Sequence, residues 1–135
     1  MKRILVGTDT SAAADLAVQA AADLARGTDA ELLVVQVRPD DAARDAVDPK
    51  KSADPDHYLR RMTERFPNVA VRSWSEPGDP AERLVEVAER ERVDTIVLGN
   101  RGTHGSWWRV RDSVPNLVLR HAPCSVFIVD TRTAQ

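Results

Sequence analysis

A single cysteine, Cys124, stands in this chain, so no internal disulfide can form and no CxxC pair is present. That usage suits a reducing compartment. Long apolar runs are missing as well. Behind Met1, Lys2 and Arg3 the continuous apolar stretch is only Ile4 to Val6, far too short for a signal peptide. Nothing approaches the roughly 18 consecutive apolar residues of a membrane span. Cytoplasmic location and no membrane partner are therefore expected. A basic excess is also lacking: 19 Lys and Arg face 21 Asp and Glu, for a formal charge of −2. That balance leaves no electrostatic footprint for nucleic acid.

What is present is an ordinary globular balance, 42 % hydrophobic and 30 % charged over 135 residues. One domain spanning 1–135 fits that length. A domain this size buries roughly two-thirds of its unfolded surface, so it needs no disulfide or metal to hold it.

Short apolar runs alternate with amphipathic stretches throughout. Ile4-Leu5-Val6 reads as a first buried strand. Ser11 then caps a helix whose apolar stripe is Ala13, Leu16, Ala17, Ala20, Ala21 and Leu24, with Gly27 at its end. Glu31 to Val37 is a second strand, apolar almost throughout, as in parallel sheets covered on both faces. Arg38 to Asp56 is rich in Asp, Lys, Ala and Pro, lacks periodicity, and reads as a mobile surface loop. A short polar helix is expected from His57 to Arg65, and a third strand from Val69 to Trp74. Asp79 as N-cap, Pro80 at the first helical position and Glu82 completing a capping box start the next helix. Its buried stripe is Ala81, Leu84, Val85 and Ala88. Thr95 to Leu98 and Ser125 to Val129 are strands four and five. The pattern predicts an α/β fold, a five-stranded parallel doubly wound sheet in the order 3-2-1-4-5 with helices on both faces.

In such sheets ligands bind beyond the carboxyl ends of the strands, where strand order reverses. Two strand ends carry suitable residues: Gly7-Thr8-Asp9-Thr10-Ser11 and Gly99-Asn100-Arg101-Gly102. The second run is followed, after nine intervening residues, by Asp112-Ser113-Val114. This spacing resembles the nucleotide signature of the universal stress protein family, which reads Gly, two residues, Gly, nine residues, then Gly and Ser or Thr. Three further blocks resemble the same family: Ile4 to Asp9, Gly78-Asp79-Pro80-Ala81, and Leu119-Arg120-His121-Ala122-Pro123-Cys124 followed by Val126 to Val129. The four stand in the family's order over nearly the whole chain.

The resemblance implies a stress-response regulatory module that binds ATP or another adenine nucleotide. Residues matching Thr8, Asp9, Val37 and Leu98 would surround adenine and ribose. Gly99, Arg101 and Gly102, with Asp112, Ser113 and Val114, would hold the phosphates. Glycines permit close backbone approach, and a helix N-terminus offers unpaired N–H groups. The resemblance also implies a homodimer paired through the last strand, Ser125 to Val129.

Asp112 departs from the signature, which has glycine there. A carboxylate ~4 Å from a phosphate charge costs about 4 kcal/mol at an intermediate dielectric. Arg101, Arg109 and Arg111 offset it, each charge-assisted bond contributing about 1.5–3 kcal/mol. Mg²⁺ between Asp112 and the phosphates would offset it too, since Mg²⁺ favours carboxylate with phosphate oxygens. The alternative reading is a dimeric interaction protein of the same family that binds no nucleotide.

Plainer roles stay open for several residues. Gly99 and Gly102 also suit a tight turn, Asp9 a helix cap, and the three arginines a solvated face. His57 and His121 read as solvated or paired with a helix end. His104 falls in the phosphate segment. Of Trp107 and Trp108, at least one is expected in the core. Cys124 reads as a small buried hydrophobe. No acid/base pair, metal cluster or nucleophile constellation is apparent, so an enzyme is not expected beyond slow ATP hydrolysis at most.

Overall fold

The computed structural model describes residues 1–38, 55–100 and 114–131. Only the two ends of the loop expected at 38–56 belong to them. In chain order the described elements are β1 (Arg3–Thr8), α1 (Ala12–Thr28), β2 (Glu31–Arg38), α2 (Pro55–Arg65) and β3 (Val71–Pro77), followed by α3 (Pro80–Arg90), β4 (Thr95–Gly99), α4 (Val114–His121) and β5 (Ser125–Val129). The strands form one sheet in the order β3-β2-β1-β4-β5, every neighbouring pair parallel. This is the expected α/β architecture, and its cause is local. Strand alternates with helix, and parallel strands need such crossovers.

Helices cover both faces, so β1, β2 and β4 can be apolar almost throughout. Alternate residues divide between two cores. Ile4, Val6, Leu32, Val34 and Val97 pack with Ala17, Ala21, Leu59 and Phe66 under α1 and α2. Leu5, Leu33, Val35, Ile96 and Leu98 pack with Leu84, Val87, Val114 and Val118 under α3 and α4.

The caps fall where the sequence places them. Ser11 Oγ accepts from Ala14 N at 3.0 Å, and Asp79 Oδ2 accepts from Glu82 N at 3.0 Å, with Pro80 in the first turn. Three details differ from expectation. The buried face of α1 is Ala13, Ala14, Ala17, Val18, Ala21, Ala22 and Ala25, while Leu16 is turned outward. A face made mostly of alanine lets the helix lie close to the sheet, where a leucine would hold it off. The helix also runs through Gly27 to Thr28, and Asp29 at φ 56° is the left-handed cap, its N–H reaching Ala25 O. Aspartate tolerates that conformation better than most side chains. In α3, Val87 rather than Val85 is fully buried.

The third strand is displaced as well. It begins at Val71, because Val69 N–H turns back to Phe66 O at 3.1 Å. It ends at Pro77, paired beside Arg38 on the sheet's edge. An edge strand tolerates proline at its end.

Candidate functional site

The sheet reverses its strand order between β1 and β4, whose carboxyl ends lie side by side. At the end of β1, two side chains shape the turn into α1. Thr8 Oγ1 accepts Thr10 N–H at 3.0 Å, and Asp9 Oδ1 accepts Ser11 N–H at 2.9 Å. Between these bonds Thr10 is held at φ 67°. For a β-branched residue this left-handed conformation costs about 1–2 kcal/mol, and it persists only where surrounding bonds impose it. Asp9, only 8 % exposed, is thereby fixed at the head of α1.

Thr8 faces the other way, toward α1 and α2. Tyr58 donates its hydroxyl to Asp15 Oδ1 at 3.0 Å, and Thr8 Oγ1 lies 3.0 Å from the same Tyr58 oxygen. An ionised carboxylate only accepts, so the direction of the chain is set. Thr10 N–H donates to Thr8, Thr8 to Tyr58, and Tyr58 to Asp15. Burial, the largest cause, pushes the Tyr58 hydroxyl far above its ordinary range, and the neighbouring Asp15 carboxylate adds to the effect.

Gln36 stands beside Thr8 on β2, 1 % exposed. Its Oε1 has no hydrogen-bond partner among the described residues.

At the end of β4, a Cβ on Gly99 would lie 3.0 Å from Thr131 Cγ2 and 3.6 Å from Ala13 O. The missing side chain thus admits Thr131 and the first turn of α1. Asn100 N–H donates to Val129 O at 3.0 Å. Its side-chain Oδ1 accepts from both Thr131 N, at 2.9 Å, and Thr131 Oγ1, at 3.0 Å. Val37, Leu98 and Val114 are buried in the apolar layer between the sheet and α3 and α4.

Thr8, Asp9, Val37, Leu98 and Gly99 are thus gathered at the ends of three adjacent strands. The Thr8 hydroxyl spends its one donor on Tyr58 and accepts from Thr10 N–H, so it cannot also donate to a ligand. Arg101, Gly102, Asp112 and Ser113 lie outside the described residues, as do His104, Trp107, Trp108, Arg109 and Arg111. His57 and His121 are exposed. Cys124 is half-buried, and burial pushes its thiol up, which opposes a nucleophilic role. Among the described residues no group of three His, Cys, Asp or Glu could hold a metal ion, and no helix is long and apolar enough to cross a membrane.

Sequence reasoning missed Tyr58, Gln36 and Thr131, and gave Asn100 no role of its own within the run Gly99 to Gly102. Gln36 carried a signal, as the one polar residue inside the run from Leu32 to Val37. Tyr58 and Thr131 gave none, since each acts across more than 30 residues of chain.

The universal stress protein family, taken as a sequence profile, matches residues 1–130. The chain belongs to that family. A universal stress protein of Mycobacterium tuberculosis is 32 % identical over 142 aligned positions, covering 96 % of this chain and 97 % of the relative. One from Methanothermobacter thermautotrophicus is 32 % identical over 125, covering 81 % and 82 %. Among solved structures, a universal stress protein in complex with cAMP superposes with a TM-score of 0.76 at 28 % identity, covering 96 % of this chain and 97 % of that one. UspA of Lactobacillus plantarum reaches 0.80 at 24 % identity, covering 95 % and 97 %.

Proposed function

We propose that this universal stress protein is a regulatory module of the cytoplasm that binds an adenine nucleotide at the carboxyl edge of β1 and β4. The observation that carries the reading is the placing of Asp9, one residue beyond β1, and Gly99, the last of β4, at the ends of adjacent strands where strand order reverses, the place where open parallel sheets take ligands. The strained Thr10 beside Asp9 supports it, because imposed backbone strain gathers at functional turns. Asp9 suits ribose. Its carboxylate oxygens are acceptors, the chemistry that ribose hydroxyls donate to. The relative solved with cAMP supports the ligand class.

With ATP and Mg²⁺ bound, Asp112 would be useful rather than repulsive: its carboxylate would help hold the metal, whose charge would offset that of the phosphates. The second reading, an interaction protein without nucleotide, is favoured by Asp112 itself. In either case two copies pair through β5. That strand is the sheet's edge, and its Phe127 and Ile128 are 50 % and 36 % exposed. An apolar strand with unpaired backbone groups invites another.

Calorimetric titration with cAMP, and with ATP in the presence and absence of Mg²⁺, tests the site. Saturable micromolar binding by the wild type is expected. Binding of ATP only with Mg²⁺, and independently of Mg²⁺ in Asp112→Gly, identifies the bridging role. Binding by Asp112→Gly alone would replace the first reading with the second, one carboxylate having silenced the site.

A further inference from the structure

We propose that Thr131 is a positioning residue for the nucleotide site, holding Asn100, at the exit of β4, against the exit of β5. The proposal rests on the reading that nucleotide binds at this edge. Three hydrogen bonds close the arrangement: Asn100 N–H to Val129 O, Thr131 N–H to Asn100 Oδ1, and Thr131 Oγ1–H to the same oxygen, at 3.0, 2.9 and 3.0 Å. A backbone N–H can only donate, so the Asn100 atom facing Thr131 is the carboxamide oxygen, and that one atom receives both bonds. Thr131 is 1 % exposed, so these bonds form away from competing water.

The two branches of the threonine act separately. The hydroxyl holds Asn100. The methyl occupies the space left by the absent side chain of Gly99, 3.0 Å from where a Cβ would stand. Asn100 N–H adds one rung beyond the paired Gly99 and Val129 at the end of the β4–β5 ladder. The backbone at Gly99 and Asn100 is therefore fixed by β5. A backbone that is to meet phosphate binds more tightly when its direction is fixed before the ligand arrives, because less ordering remains to oppose binding.

The test compares the wild type with Thr131→Val, which keeps the methyl and loses the hydroxyl, and Thr131→Ser, which does the reverse. Calorimetry with cAMP and with ATP·Mg²⁺ supplies the affinities. Hydrogen exchange of the Asn100 and Thr131 amides, read by NMR, supplies the geometry. Thr131→Val is expected to bind about five-fold more weakly, the worth of one ordinary hydrogen bond, with Thr131→Ser within about two-fold of wild type. Saturating nucleotide should slow exchange at both amides in the wild type. Loss of affinity in Thr131→Ser but not in Thr131→Val would indicate packing alone and overturn the proposal. Wild-type affinity in Thr131→Val would overturn it while leaving nucleotide binding intact. No binding by the wild type would overturn both. Should Thr131→Val fail to fold, the wild-type exchange rates decide: unchanged rates on adding nucleotide refute the clasp.

Discussion

Removing the Tyr58 hydroxyl should destabilise the fold through Thr8, and the size of the effect follows from where each partner lies. In Tyr58→Phe the Thr8 hydroxyl loses its acceptor, and Thr8 is wholly buried. An orphaned buried donor costs about 1–3 kcal/mol. Asp15 loses one donor, but it is only half-buried and has Arg65 Nη1 at 3.9 Å, so its share is small. Against these, phenylalanine no longer has a hydroxyl to desolvate. The net expectation is about 1–2 kcal/mol, which at this chain length lowers the melting temperature by roughly 3–5 °C per kcal/mol.

Urea unfolding of the wild type, Tyr58→Phe, Thr8→Val and the double variant measures the pair directly. Thr8→Val also deprives Thr10 N–H of its acceptor, so it should be the costlier single change. If the bonds form the directed chain described above, Tyr58→Phe should cost much less once Thr8 is valine, with a coupling of about 1 kcal/mol. Strict additivity of the two changes, or a Tyr58→Phe protein as stable as wild type, would refute the chain.

Two further outcomes are expected. Tyr58 is the only tyrosine in the chain, and its folded pKa lies above the ordinary value of about 10. The folded state therefore holds a proton that the unfolded state releases. Stability from this group is whole below about pH 10 and falls as pH rises further. Tyrosinate absorbance should appear only as the protein unfolds, and Tyr58→Phe should show a flatter alkaline limb. Titration near pH 10 with the fold intact would show the hydroxyl is not buried as described. Separately, Phe127→Glu places a charge on the exposed apolar edge of β5 and should convert the proposed dimer to a monomer in analytical ultracentrifugation. A wild type that sediments as a monomer at every concentration would remove the dimer from the reading altogether.

The architecture was legible because it rests on short-range signals: apolar runs of four to eight residues, two capped helix starts, and the alternation of strand with helix. Errors arose where a neighbour in space decided the matter. Leu16 satisfied the helical period, yet closeness to the sheet favoured alanine on the buried face of α1. Gly27 looked like a stop, but Asp29 could adopt φ 56° one residue beyond the end of the helix. Val69 had a strand-former's side chain but was held in a turn by Phe66 O.

The site divides along the same line. Asp9 and Gly99 were visible as residues, because the family's motif names them. What each does locally was not, because the atoms that define it come from elsewhere. Gly99 reads in sequence as a place for phosphate to approach, and in the fold the space beside it is taken by a methyl group 32 residues downstream and by the first turn of α1. A glycine kept for close packing and a glycine kept for ligand approach look alike in one dimension. They separate under substitution: Gly99→Ala forces the added methyl against Thr131, whereas Gly99→Ala combined with Thr131→Ser gives it room. If packing is the dominant demand, the second change should recover much of the stability lost to the first. Nucleotide affinity in that relieved double variant then reports the ligand's demand alone.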